Sequence, residues 1–119
     1  MSERLSLTVP GHPIPLQRSR TRQGRHYLPG ASRQYRQRIE AEWMAAGRPT
    51  LADHPFSLSA RFYGANPQAD IDNLVKAVLD ALGGLAFTND HNCVCLAGVH
   101  KLPADAGGAR AEIDIWAAA

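Results

Sequence analysis

Apolar and polar residues alternate over Leu5-Ser6-Leu7-Thr8-Val9, which predicts a short strand with one buried face. Pro10, Gly11, Pro13 and Pro15 break it, and from there to Gly30 no period is visible, so that stretch reads as a loop. Ser32 stands where an N-cap belongs, for a helix running to about Gly47 with Tyr35, Ile39, Trp43 and Ala46 on its buried face. Arg33, Arg36 and Arg38 then face outward, and Arg48-Pro49 ends the helix. Alternation returns over Phe56–Phe62, a second strand leading into Tyr63. Gly64 to Ala69 is a loop that delivers Asp70. From there Leu74, Val75, Val78, Leu79 and Leu82 recur at helical spacing and form one apolar stripe. Asp72 is the expected N-cap, and Gly83-Gly84 closes the helix. After a polar turn over Thr88–Asn92, Cys93 to Lys101 reads as a buried strand interrupted by Gly98. In the last strand Ala109, Ala111, Ile113 and Ile115 alternate with Arg110, Glu112, Asp114 and Trp116, which leaves Trp116 on a wet face. The order β-α-β-α-β-β predicts a single α+β domain over residues 1–119, a small mixed sheet with two main helices.

Composition narrows the class. A chain of 119 residues with ordinary apolar and charged fractions is one globular domain with its own core. No apolar run is long enough to span a membrane, and Met1-Ser2-Glu3-Arg4 leads directly into a strand rather than into a signal peptide. Cys93 and Cys95 are too close for a disulfide framework and read as small buried hydrophobes, so a reducing cytoplasm is expected.

Charge changes the picture more. Residues 1–50 carry nine arginines against Glu3, Glu40 and Glu42, a balance of +6, while residues 51–119 balance at −4. A basic half suggests a polyanionic partner, and the acidic half then needs a reason to approach it. A metal cation is one. Arg18, Arg20, Arg22 and Arg25 crowd the loop without acids to pair them, which suits phosphate, and Tyr27 beside them can stack on a base or sugar.

The candidate chemistry lies at the second helix. Asp70 and Asp72 open it, and Asp72, Lys76 and Asp80 follow at intervals of four along one face. Two carboxylates near a helix start can hold Mg²⁺, and a fixed lysine suits charge developing at phosphorus. Taken alone, the spacing more often means a cap and a surface ion pair, because structural ion pairs are common. An EF-hand is excluded, since the loop lacks the required Gly and late Glu. Asp90, His91, Cys93, Cys95 and His100 also cluster, but their pattern is not a zinc signature.

The run Asp70-x-Asp72-Asn73-Leu74-x-Lys76-x-x-x-Asp80-Ala81-Leu82 is specific. It is followed by a Gly, an aromatic residue, an acid-bearing turn and a Val-containing strand ending His100-Lys101. Upstream stands Val9-Pro10-Gly11-x-Pro13-x-Pro15 with Arg18 and Arg20. Together these resemble the RusA-type Holliday-junction resolvases over nearly the whole chain. The resemblance implies a homodimeric, Mg²⁺-dependent endonuclease (Mn²⁺ a possible substitute) of DNA recombination and repair. It acts in the cytoplasm of bacteria, or there as a phage protein, and nicks opposed strands of a four-way DNA junction. It implies Asp70 and Asp72 as metal ligands and Lys76 as catalytic lysine, with Asp80 and Asn73 in support. The third ligand falls in the turn Asn89-Asp90-His91-Asn92, where Asp90 is favoured because Mg²⁺ prefers oxygen, and His91 is the alternative. If His91 replaces the acid, a branched-DNA-binding module with weak or no cleavage is the rival reading. A nucleotidyltransferase using Asp-x-Asp fits less well, because its Gly-Ser helix start is missing.

Overall fold

The computed structural model describes residues 3–17, 20–22, 25–27 and 30–118. Strand β1 (Leu5–Pro10) alternates buried and exposed residues as its sequence does. A short antiparallel hairpin follows, β2 (Arg20–Arg22) with β3 (Arg25–Tyr27). The stretch that reads as a plain loop therefore contains paired backbone; Arg and Thr alternation over three residues is too short to register as a period. Next come helix α1 (Gly30–Ala46), strand β4 (Phe56–Tyr63), helix α2 (Ile71–Leu82), strand β5 (Cys93–Leu102) and strand β6 (Arg110–Ala117). Apart from the hairpin, this is the expected β-α-β-α-β-β order of a small α+β fold.

The main sheet runs β1-β6-β4-β5, antiparallel except for the parallel β4–β5 pair. Register places Leu7, Ile113 and Ala60 side by side, and likewise Leu5, Ile115 and Leu58. This row meets Tyr35, Ile39 and Trp43 of α1 and Leu74, Val78 and Leu82 of α2 in one core. Phe87, from the turn after α2, stacks on Phe56 with ring centroids 4.5 Å apart and closes the bottom of that core. The opposite sheet face is a charged ladder. Arg61 and Arg110 both donate to Glu112, at 3.0 and 2.9 Å, and Arg110 also pairs with Asp105.

Three details differ from expectation. α1 begins two residues before Ser32, which is buried and serves the N-terminal segment instead: its hydroxyl accepts from the Gln17 N–H at 3.1 Å and donates to the Pro15 carbonyl. Ala46 lies exposed at the frayed end of α1, past the last turn that meets the sheet. β5 is an edge strand rather than a buried one. Val94 and Leu96 are 60% and 55% exposed, Cys95 is exposed and Cys93 half-buried, so neither cysteine is a core residue. Gly98, at φ 117°, marks the irregular register where β5 slips against β4, in keeping with its interruption of the strand pattern. Among the described residues no helix is long and apolar enough to cross a membrane.

Candidate active site

α2 starts one residue after Asp70, which is its N-cap in extended backbone (φ −72°, ψ 132°). The Asp70 carbonyl accepts from the N–H groups of Asn73 and Leu74 at 3.1 and 3.2 Å. Its carboxylate makes no capping bond and is left to solvent. Asp72, expected as the cap, sits inside the first turn, where its Oδ1 accepts from the Asn73 N–H at 3.0 Å. Either Asp could cap by sequence; the loop arriving from Gly64 reaches the helix at the first. Lys76 lies one turn beyond Asp72, exposed, and forms no ion pair among the described residues. The cap and first two turns of α2 therefore carry two exposed carboxylates and an exposed ammonium, of which Asp72 and Lys76 share one face. Asn73 contributes through its backbone, its carbonyl accepting from the Leu16 N–H at 2.9 Å and tying the proline-rich segment to the helix start.

Asp80 does not pair with Lys76. It meets Arg36 of α1, Oδ2 to Nη1 3.4 Å, and Arg36 also pairs with Glu40. This interhelix contact could not be read from spacing within α2.

Asp90 lies at the other end of α2. A side chain at Gly83, just past the helix, would stand 3.4 Å from Asp90 Oδ1. The helix has 12 residues, about 18 Å at about 1.5 Å per residue. Asp90 opens a short 3₁₀ turn (Asp90–Asn92) that Asn89 caps by accepting from the His91 N–H. Partial desolvation pushes the Asp90 carboxyl above its ordinary range, the negative charge of Asp80 adds to this, and His91 opposes it. His91 is exposed beside it. Within one copy of the chain Asp70, Asp72 and Lys76 thus lie at the start of α2, and Asp90 and His91 lie at its far end. Among the described residues no three His, Cys, Asp or Glu side chains gather closely enough to share a metal ion.

Two surfaces adjoin the Asp70 end. A groove of about 770 Å³ runs between the His12–Gln17 segment and the Gly64–Ala69 loop. An apolar groove of about 310 Å³ lies between α2 and edge strand β5, lined by Ile71, Val75, Leu79, Leu96 and Val99 with Asp72 and Lys76 on its rim. Arg18 lies outside the described residues, as do the side chains of Arg20, Arg22, Arg25 and Tyr27, whose backbone forms the hairpin.

Sequence reasoning gives no role to two residues that shape this end. Lys101 Nζ donates to the carbonyls of Pro67 and Ala69 at 2.8 and 2.6 Å, and His12 Nδ1 bonds the Gly64 carbonyl at 2.9 Å. Both are contacts between distant segments that leave no local pattern.

A search of curated proteins finds no match to this chain. Residues 10–116 match the family described as Endodeoxyribonuclease RusA, a match that takes in the proline-rich segment, both helices, the acidic turn and all but the first strand of the sheet. The chain accordingly belongs to the RusA family of endodeoxyribonucleases, the Holliday-junction resolvases.

Proposed function

We propose that this chain is a homodimeric, Mg²⁺-dependent resolvase that nicks two opposed strands of a four-way DNA junction. Its setting would be recombination and repair in the cytoplasm of a bacterium, or of one infected by a phage that encodes it. Mn²⁺ would serve as a substitute cation. The observation that carries the reading is that Asp70, Asp72 and Lys76 all stand exposed at the start of α2.

The donor chemistry fits a hard cation, since Asp70 and Asp72 offer oxygen ligands of which neither is consumed by an ion pair among the described residues. Asp70 and Asp72 would hold the ion with Asp90 as third ligand, and His91 is the alternative position. When bound, Mg²⁺ would activate water and offset charge on the scissile phosphate. Lys76 stands one turn from Asp72, placed to meet charge on the phosphate or the leaving oxygen. Asp80, neutralised by Arg36, supports this edge by tying α2 to α1.

The separation of Asp90 from Asp70 favours a dimer. If two copies pack about a two-fold axis with their α2 helices antiparallel, the Asp90 end of one meets the Asp70 end of the other. The α2–β5 groove suits that packing: Ile71 and Leu96 are 40% and 55% exposed beside an edge strand that carries no charge from Cys93 to Val99. Trp116, which the alternation leaves on a wet face, is half-buried under the Arg4 guanidinium (4.1 Å). The arginines of the Arg18–Arg25 segment would grip phosphates, with Tyr27 stacking on an unpaired base or sugar.

Incubation with a synthetic four-way junction and with linear duplex, each with Mg²⁺ or with EDTA, tests the reading. Paired nicks in the junction alone, and only with Mg²⁺, are expected; equal cutting in EDTA overturns the metal mechanism. Tight junction binding with no cutting under any divalent ion would instead support the binding-module reading, which rests on His91 standing next to Asp90 in the turn.

A further inference from the structure

We infer that Lys101 is a positioning residue for Asp70, acting through the backbone of the loop that precedes it. The inference rests on the proposed metal-binding role of Asp70. Lys101 sits near the end of β5 in register with the fully buried Phe62 of β4, so its stem starts at the edge of the core. Its ammonium reaches away to two carbonyls of the Gly64–Ala69 loop, those of Pro67 (2.8 Å) and Ala69 (2.6 Å). It forms no ion pair among the described residues. A half-buried cation joined only to carbonyls is an expensive way to fill space, since an apolar side chain would cover the same core edge without desolvating a charge.

What the two bonds accomplish follows from where they fall. The Ala69 carbonyl and the Asp70 N–H belong to one planar peptide unit. Fixing that oxygen fixes the plane from which Asp70 projects. The Asp70 carboxylate has no capping bond to hold it, so the backbone sets the direction from which its rotamers project. The loop's own bonds use its N–H groups: Ala69 donates to the Asn66 carbonyl and Gln68 to Asn66 Oδ1. Lys101 takes up the carbonyls these leave. The start of the loop is pinned separately, by Gly64 N–H donating to Leu102 and by His12. Strand β5 therefore holds the loop at both ends, and Lys101 is the hold nearest the carboxylate.

Lys101→Met keeps the stem and removes both bonds; Lys101→Arg keeps a donor that can reach two carbonyls. Mn²⁺ alone, titrated calorimetrically without DNA, should bind Lys101→Met about 10- to 100-fold more weakly than wild type, the usual cost of losing a group that orients a ligand. kcat on the junction should fall in parallel. Junction Kd in EDTA should not change, and Lys101→Arg should recover most of the loss. Amide exchange at residues 69–72 should quicken in the Met variant and slow again in the Arg variant, a readout that stands whether or not wild type cuts DNA. Unchanged exchange and unchanged Mn²⁺ affinity in Lys101→Met overturn the inference. So does a weakened junction Kd at constant kcat, which would make Lys101 a phosphate contact. Wild-type protein that neither binds Mn²⁺ nor cuts, while exchange responds as stated, refutes the proposed metal role of Asp70 and leaves the hold itself intact.

Discussion

Arg36 of α1 reaches Asp80 of α2, Nη1 to Oδ2 3.4 Å. Neither acid at four-residue spacing pairs with Lys76: Asp80 meets Arg36, and Asp72 Oδ1 accepts from the Asn73 N–H. The lysine that spacing alone would place in a surface ion pair is instead presented to solvent, where a phosphate can meet it.

This sets Lys76 and Asp80 apart by experiment. Lys76→Met should lower kcat on the junction by about 10²- to 10³-fold, the range for removing one group that stabilises a developing negative charge. Asp80→Asn breaks a partly exposed pair worth less than about 1 kcal/mol, so it should leave cutting nearly unchanged. Comparable losses in both variants would show that Asp80 acts on the chemistry and not only on helix packing.

The basic hairpin should act through counterion release. Replacing Arg18, Arg20 and Arg22 together with Ala should weaken binding to every DNA by a similar factor. The slope of log K against log salt should flatten by about 0.9 for each phosphate that the variant no longer neutralises. Binding measured from low to physiological salt decides this, and an unchanged slope would mean that these side chains are only solvated.

Glu112 predicts a pH dependence of stability. Hydrogen bonds from Arg110 first and Arg61 second hold its carboxyl below the usual range. The folded state then binds fewer protons than the unfolded chain, so the stability from this group is complete above the ordinary carboxyl range and is lost as pH falls through the depressed value. Glu112→Gln should lower Tm by a few degrees at neutral pH, and the two curves should converge as the wild-type carboxylate protonates in acid. A gap of constant size down to the acid limit would assign the loss to packing rather than to charge.

The strands that bury one face are legible because burial and chemistry alternate together, as in Leu5, Leu7 and Val9. β4 also reads as alternating, yet Ser57 and Ser59 on its polar face are buried, because β5 and β6 flank it on both sides. β5 departs from its pattern for the converse reason. Its apolar run suits a central strand, but sheet order, which no local pattern states, places it at the edge. Both helices show in their stripes, whereas α1 begins at Gly30, ahead of Ser32, and α2 is capped by Asp70 rather than Asp72. At the site, the acids and Lys76 can be read from the motif. The distance to Asp90 cannot, since it depends on how the turn after Gly83 returns Asp90 to the end of α2.

That distance yields the sharpest prediction. If each metal site takes Asp70 and Asp72 from one copy and Asp90 from the other, the protein should be a stable dimer before it meets DNA, with light scattering giving twice the 12.9 kDa chain mass. Asp70→Asn, Asp72→Asn and Asp90→Asn should each abolish cutting by the purified variant while sparing junction binding, because each removes a negative charge that repels phosphate. Now let Asp70→Asn and Asp90→Asn copies be mixed and allowed to exchange. In the mixed dimer one site inherits both lesions, and the other combines an intact Asp70 with an intact Asp90. One working site per mixed dimer should restore nicking of a single junction strand without paired resolution. If His91 holds the third position instead, Asp90→Asn will cut normally alone, and His91→Ala will complement Asp70→Asn in its place. Sites built within single copies would behave otherwise, since every mixed dimer would then carry two dead centres. Mixtures that exchange subunits yet stay inactive would therefore refute the shared site.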